Sequence, residues 1–102
     1  MKINKLRSLE DDFDGEGAKA PSNETIDKLV RAVPRMKEIV LKRKGIELRE
    51  PDYSPVRDGG ADAHWEIKER YEVLLVVNPG NEPPSYYGDF FDGEPIKGAI
   101  DF

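Results

Sequence analysis

A chain of 102 residues, with 36% charged and 37% hydrophobic side chains and a net charge of −5 at pH 7, supports one small hydrophobic core and a single domain. It has no cysteine, which removes disulfides, thiolate metal sites, iron–sulfur clusters and a cysteine nucleophile. With one histidine, His64, any Ser-His-Asp triad or histidine-based metal site would depend on a single imidazole.

The longest apolar run, Val73 to Val77, is far below the ~20 residues that span a bilayer. Met1-Lys2-Ile3-Asn4-Lys5 lacks the apolar stretch of a signal peptide. The expectation is a soluble, cytoplasmic domain. Its apolar residues are periodic rather than scattered, so the chain is expected to fold.

Ile3, Leu6 and Leu9, spaced by three, predict a short first helix ending at Glu10-Asp11-Asp12. Phe13 to Ala20, with Asp14-Gly15 and Gly17, reads as a loop. A long helix follows over about 23–44. Ser22 is its N-cap, Glu24 and Asp27 favour the positive end of the helix dipole, and Ile26, Leu29, Val30, Val33, Met36 and Val40 form an apolar stripe. Pro34 removes a bond to the Val30 carbonyl and predicts a kink or a split into about 23–33 and 35–44. Gly45 stops the helix after Lys42, Arg43 and Lys44.

Beyond Gly45 the period changes to two. Residues 51–57, with two prolines, predict extended chain or an edge strand, and Asp58-Gly59-Gly60 a turn. Trp65, Ile67, Tyr71, Val73, Leu75 and Val77 are apolar at odd positions. Only an odd-length loop, Lys68-Glu69-Arg70 with Ile67 opposite Tyr71, keeps them on one face. Leu74 and Val76 make the second of these strands apolar on both faces, which predicts cover on both sides. Asn78-Pro79-Gly80-Asn81 reads as a type II turn, Ser85 to Phe91 as a strand, and Asp92-Gly93 as a two-residue hairpin turn leading to Ile96–Ile100. The fold class is α+β: N-terminal helices packed on an antiparallel meander of three to five strands.

The acidic loop Glu10–Glu16 fits calcium-loop spacing only in part. Placing Gly15 at position 6 gives Glu10, Asp12 and Asp14 as early ligands, but position 12 falls on Pro21 and the bidentate carboxylate is missing. A solvated acidic turn is the better reading. Phe-Asp-Gly-Glu occurs at 13–16 and again at 91–94 with no further matches at that offset, so shared turn chemistry accounts for it. His64-Trp65-Glu66 has the H-x-E spelling of zinc deaminases without the cysteines that site needs. A hydrolase built on carboxylates such as Asp12 and Glu66 would require a metal site the sequence does not spell. The chain is therefore read as non-enzymatic, with no cofactor.

Charge is segregated. Lys28 to Lys44 holds seven bases and one acid, Glu10–Glu16 five acids and no base, and Glu82–Asp101 five acids and one lysine. Acidic segments at both ends, with aromatics beside the second, predict a surface for a basic host protein made of Asp12, Phe13, Asp14, Glu16, Tyr86, Tyr87 and Asp89. One form would be inhibition of a nuclease or defence complex through that acidic surface. The alternative is an antitoxin-like or regulatory nucleic-acid binder using helix 28–44 through Arg31, Arg35 and Lys42.

Phe13-Asp14-Gly15-Glu16-Gly17-Ala18, then Pro21-Ser22, Asp58-Gly59-Gly60 and Trp65-Glu66, resemble a widespread group of small bacterial and phage proteins of unknown function. Their pattern is W-D-G-x-G-A-x-x-P-S near the start, a helix ending near L-P, and D-G-G with L-E-W-E further on. The match runs from about residue 9 to 77 and departs at Phe13 and at Ala63-His64. The resemblance implies a compact α+β domain, often carried on phages or mobile elements, and no activity.

Overall fold

The computed structural model describes residues 1–91 and 93–102. Two helices, α1 (Ile3–Arg7) and α2 (Asn23–Lys44), precede five strands: β1 (Asp52–Pro55), β2 (Ala61–Ile67), β3 (Tyr71–Val77), β4 (Ser85–Phe90) and β5 (Ile96–Ala99). The strands form one antiparallel meander in chain order, with β3 at its centre. This is an α+β fold, helix against sheet.

Side-chain direction alternates along each strand, so the register decides which residues meet α2. Ile67 stands opposite Tyr71 across the three-residue loop 68–70, as the parity of the apolar residues requires. The loop closes with the Arg70 N–H donating to the Ile67 carbonyl, and Glu69 takes φ 67° where a glycine would ordinarily sit. Ala61, Ala63, Trp65, Tyr71, Val73, Leu75 and Val77 are all buried, with Tyr86, Phe90 and Ile96 beside them. The other half of the core is the helical stripe Ile26, Leu29, Ala32, Val33, Met36 and Val40, plus Leu6 of α1. Trp65 sits among them and donates its indole N–H to the Arg49 carbonyl at 2.7 Å.

The caps of α2 fall where the sequence puts them. Ser22 accepts from the Thr25 N–H at 3.1 Å, and Gly45, at φ 69°, donates to the Leu41 carbonyl. Between them α2 is one helix through Pro34, so the split form does not occur. Pro34 and Val30 are both exposed. The carbonyl that loses its partner therefore faces water, which lowers the cost of the missing bond. Two lysines tie the helix across the sheet. Lys28 donates to the carbonyls of Gly80 and Glu82 in the β3–β4 loop, and Lys44 to that of Glu94 after β4.

Two expectations are corrected, and a third lies outside the described residues. The helix covers one sheet face only: Leu74 is 36% and Tyr87 50% exposed, so β3 is central but open on its second side. The Asp92-Gly93 turn involves Asp92, outside the described residues. On either side of it Gly88 pairs with Ile96. This register keeps Ile96 in the core with Tyr86 and Phe90. Tyr86, expected on a partner-binding surface, is 8% exposed and faces the helix side, because it alternates with Tyr87.

Candidate functional site

The open face of the sheet is built from the polar-parity positions of every strand. One cross-strand row runs Asp52, His64, Leu74, Tyr87, Lys97, and the next runs Ser54, Asp62, Val76, Ser85, Ala99. A third, toward the β2–β3 loop, is Glu66, Glu72, Asp89. At its centre are exposed Leu74, half-buried Val76 and exposed Tyr87, an apolar patch that no described element covers. Five carboxylates surround it, with Lys97 and His64 as the basic groups of the same face.

The third row is electrostatically unusual. Directly opposed side chains on adjacent strands lie about 4.5–5.5 Å apart at Cβ, and like charges there repel. Glu66 faces Glu72, and Glu72 faces Asp89. His64 Nε2 lies 3.5 Å from Glu72 Oε2.

Asp62, in the second row, is half-buried, and burial raises its carboxyl pKa, opposed by the nearby His64 and the N-terminal amino group. A carboxyl pKa raised in the folded state means the native protein holds that proton more tightly than the unfolded chain. Ionisation of Asp62 therefore costs stability above its folded pKa, and the cost vanishes as pH falls below the unfolded value. Asp62→Asn is expected to raise Tm modestly at pH 7 and to leave it unchanged near pH 3, in parallel melts followed by circular dichroism.

The acidic loop turns most of its carboxylates inward. Asp12 Oδ1 accepts from the Gly17 N–H at 2.6 Å, Asp14 Oδ1 from those of Glu16 and Ala18, and Asp11 Oδ1 from that of Ala20. Arg57 then bridges Asp14 Oδ2 at 3.0 Å and the Glu16 carbonyl at 2.6 Å. The Glu16 N–H, then that of Ala18 and the charge of Arg57, hold the Asp14 carboxyl below its ordinary pKa against a smaller desolvation effect. Asp12 and Asp14 thus serve as internal caps of a loop docked beside the β1–β2 turn, where the Lys19 N–H donates to the Arg57 carbonyl at 3.0 Å and the Lys19 backbone pairs with that of Asp58 in an isolated parallel bridge. Glu16 stays exposed and Phe13 is half-buried.

Of the seven residues expected to bind a partner, the structure places Tyr87 and Asp89 together on the open sheet face. Asp12, Phe13, Asp14 and Glu16 lie in the separate loop, and Tyr86 is in the core. Sequence reading missed Leu74, Val76, Glu66 and Glu72 as surface members. Once Ile67 is set opposite Tyr71, the pairing of Glu66 with Glu72 follows, so the signal was present in the hairpin register.

Arg31, Arg35 and Lys42 do share an exposed side of α2. Lys42 is paired to Glu38 at 3.0 Å, and the Arg31 guanidinium lies 4.9 Å from the Phe102 ring centre. Asp12 and Glu66 sit at opposite ends of the sheet and do not form a catalytic pair. Among the described residues no group of three or more His, Asp or Glu stands close enough to hold a metal ion. No described helix is long and apolar enough to cross a membrane. A groove of about 580 Å³ between the end of α2 and the β2–β3 loop, lined by Lys44, Arg49, Arg70, Glu47, Glu69 and Phe91 among others, brings cations, two carboxylates and an exposed aromatic together.

No protein-family model, curated protein or solved structure matches the chain.

Proposed function

We propose that this protein is a non-enzymatic binding module whose working surface is the open face of the sheet, with a basic protein surface as its partner. The observation that carries this reading is the repulsive row Glu66, Glu72, Asp89 alongside uncovered Leu74 and Tyr87. A folded chain gains nothing from opposed carboxylates beside bare apolar surface. A partner offering Lys or Arg around an apolar centre relieves the repulsion and covers the patch at once. Tyr87 supplies the large, rigid anchor such interfaces favour. Occupying the cationic surface of a nuclease or defence complex is one form this binding would take, in keeping with the phage and mobile-element setting that the resemblance implies. The residues behind that resemblance act here as turns and caps: Asp14 and Gly17 in the loop, Ser22 at the helix start, Gly60 in the turn. They argue for a shared scaffold, while the site resides elsewhere.

The test uses Glu72→Lys together with Tyr87→Ala. Glu72→Lys replaces two like-charge contacts with two attractive ones, so it is expected to raise Tm. It is also expected to weaken capture of the native partner from host extract by at least about tenfold, and Tyr87→Ala to weaken capture at nearly constant Tm. Capture unchanged by both variants would overturn the assignment. The competing nucleic-acid reading predicts instead a salt-sensitive mobility shift of DNA or RNA, lost in Arg31→Ala/Arg35→Ala/Lys42→Ala. The capture of Lys42 by Glu38 and the spending of Lys28 and Lys44 on loop carbonyls weigh against that outcome.

A further inference from the structure

The two edges of the sheet are treated differently by the chain. At β1 the outward-facing groups of Tyr53 are already used: its N–H donates to the Met1 carbonyl at 2.9 Å, and its carbonyl accepts from the Met1 amino group at 2.7 Å. Pro51 and Pro55 flank it and offer no N–H to a further strand. The β5 edge has no such cover. Ile100 donates to the Pro84 carbonyl at 2.8 Å, so Ile96, Gly98 and Ile100 point their backbone groups toward β4. By the alternation of an antiparallel ladder, Lys97, Ala99 and the following Asp101 point theirs outward. Among the described residues no hydrogen bond reaches these groups, although Ala99 and Asp101 border a groove with Arg35, Glu38 and Lys42 of α2.

We propose that the β5 edge pairs with the β5 edge of a second copy of this chain, antiparallel, about a two-fold axis through Ala99. The charge pattern selects this occupant and this register. Setting Ala99 opposite Ala99 of the second copy places Lys97 of each chain opposite Asp101 of the other, twice by symmetry. All three residues carry outward-facing N–H and carbonyl groups, so every opposed pair in the register forms backbone bonds. The even positions agree. Ile96 of each copy comes opposite Phe102 of the other on the helix side, and Phe102 is among the most exposed apolar residues of the chain, at 57%. Lysine on an edge strand ordinarily discourages pairing. Here the incoming strand brings the carboxylate that neutralises it. The product is a continuous ten-stranded sheet with both open faces on one side, so the assembly presents two copies of the acidic surface to a partner.

The edge is short, so the expected dimer is a weak one, with Kd in roughly the 10–500 μM range. Sedimentation equilibrium on the purified full chain over that range measures it, independently of any partner capture. Lys97→Asp and Asp101→Lys each place two like charges in opposition and are expected to weaken dimerisation at least tenfold. The double variant Lys97→Asp/Asp101→Lys restores the opposed pairs in reverse and is expected to return to wild-type association. Ala99→Pro removes an outward N–H without touching the β4 ladder and is expected to be monomeric with an ordinary circular dichroism spectrum. A wild-type chain that stays monomeric at 500 μM overturns the proposal, as does a dimer that none of these substitutions alters or a charge swap that fails to rescue. Failure here leaves the binding reading of the open face standing. Failure of partner capture leaves the dimer standing.

Discussion

Trp65→Ala is expected to reduce the unfolding free energy by about 3–5 kcal/mol, the usual cost of emptying a large aromatic site in a core. Trp65 is 4% exposed and belongs to the same cluster as Val73, Ala63 and Leu48. Its loss opens a void in the layer between β2 and α2. It also removes the indole N–H from the Arg49 carbonyl, which ties the linker after α2 to the sheet. Trp65→Phe separates the two contributions: it keeps much of the apolar volume, so a smaller loss of about 1–2 kcal/mol is expected from the hydrogen bond and the residual gap. Urea denaturation of the three proteins measures both differences. A midpoint for Trp65→Ala close to wild type would mean that this layer is not the core.

Gly60→Ala is expected to cost about 2–3 kcal/mol although it adds only one methyl group. A Cβ at residue 60 would lie 2.8 Å from the Val77 carbonyl oxygen and 3.1 Å from Asp58 Oδ1. The first of these is backbone at the end of the central strand and has no rotamer by which to withdraw. Gly17 provides the contrast. It has φ 83° but open space around the missing Cβ, so Gly17→Ala carries backbone strain alone, about 1–2 kcal/mol. If the Gly60 variant proved the milder of the two, β2 and β3 would be free to separate at the end away from their 68–70 loop, contrary to the observed packing.

The fold was legible where periodicity and punctuation agreed. The odd parity of Trp65, Ile67, Tyr71, Val73, Leu75 and Val77 fixed a hairpin register to the residue, because a one-residue slip would have exposed the whole set. Ser22 and Gly45 marked both ends of α2. Pro34 could not be read as harmless from the sequence, since its cost depends on whether the Val30 carbonyl faces protein or water. Leu74 and Val76 were apolar for a reason the sequence leaves open: apolar composition reports that a surface prefers cover without saying which molecule provides it.

The candidate site was legible in part. Tyr87 and Asp89 were identified from aromatic and acidic composition near the C-terminus, and Tyr86 was wrongly grouped with them because neighbours in a strand point to opposite faces. Counting charges marked Asp12 and Asp14 as surface for a partner. Counting does not give the direction of a carboxylate oxygen, and these two point at their own loop's amides. In the row Glu66, Glu72, Asp89 the first pair follows from the hairpin register, whereas the partnership of Asp89 does not follow from it. The full row exists only once three strands are set side by side.

The meander order also governs how the chain reaches its structure. Each strand pairs with its neighbours in sequence across the segments 56–60, 68–70, 78–84 and 91–95, so no strand pairing requires distant parts of the chain to find one another. The widest separations belong to α2, whose stripe must settle on β2 and β3, and to Met1, which must meet Tyr53. Sheet formation can therefore proceed hairpin by hairpin on local contacts, with docking of the helix as the late, cooperative step. In that order the β5 edge forms only when its own hairpin closes, so the self-association proposed above would follow folding.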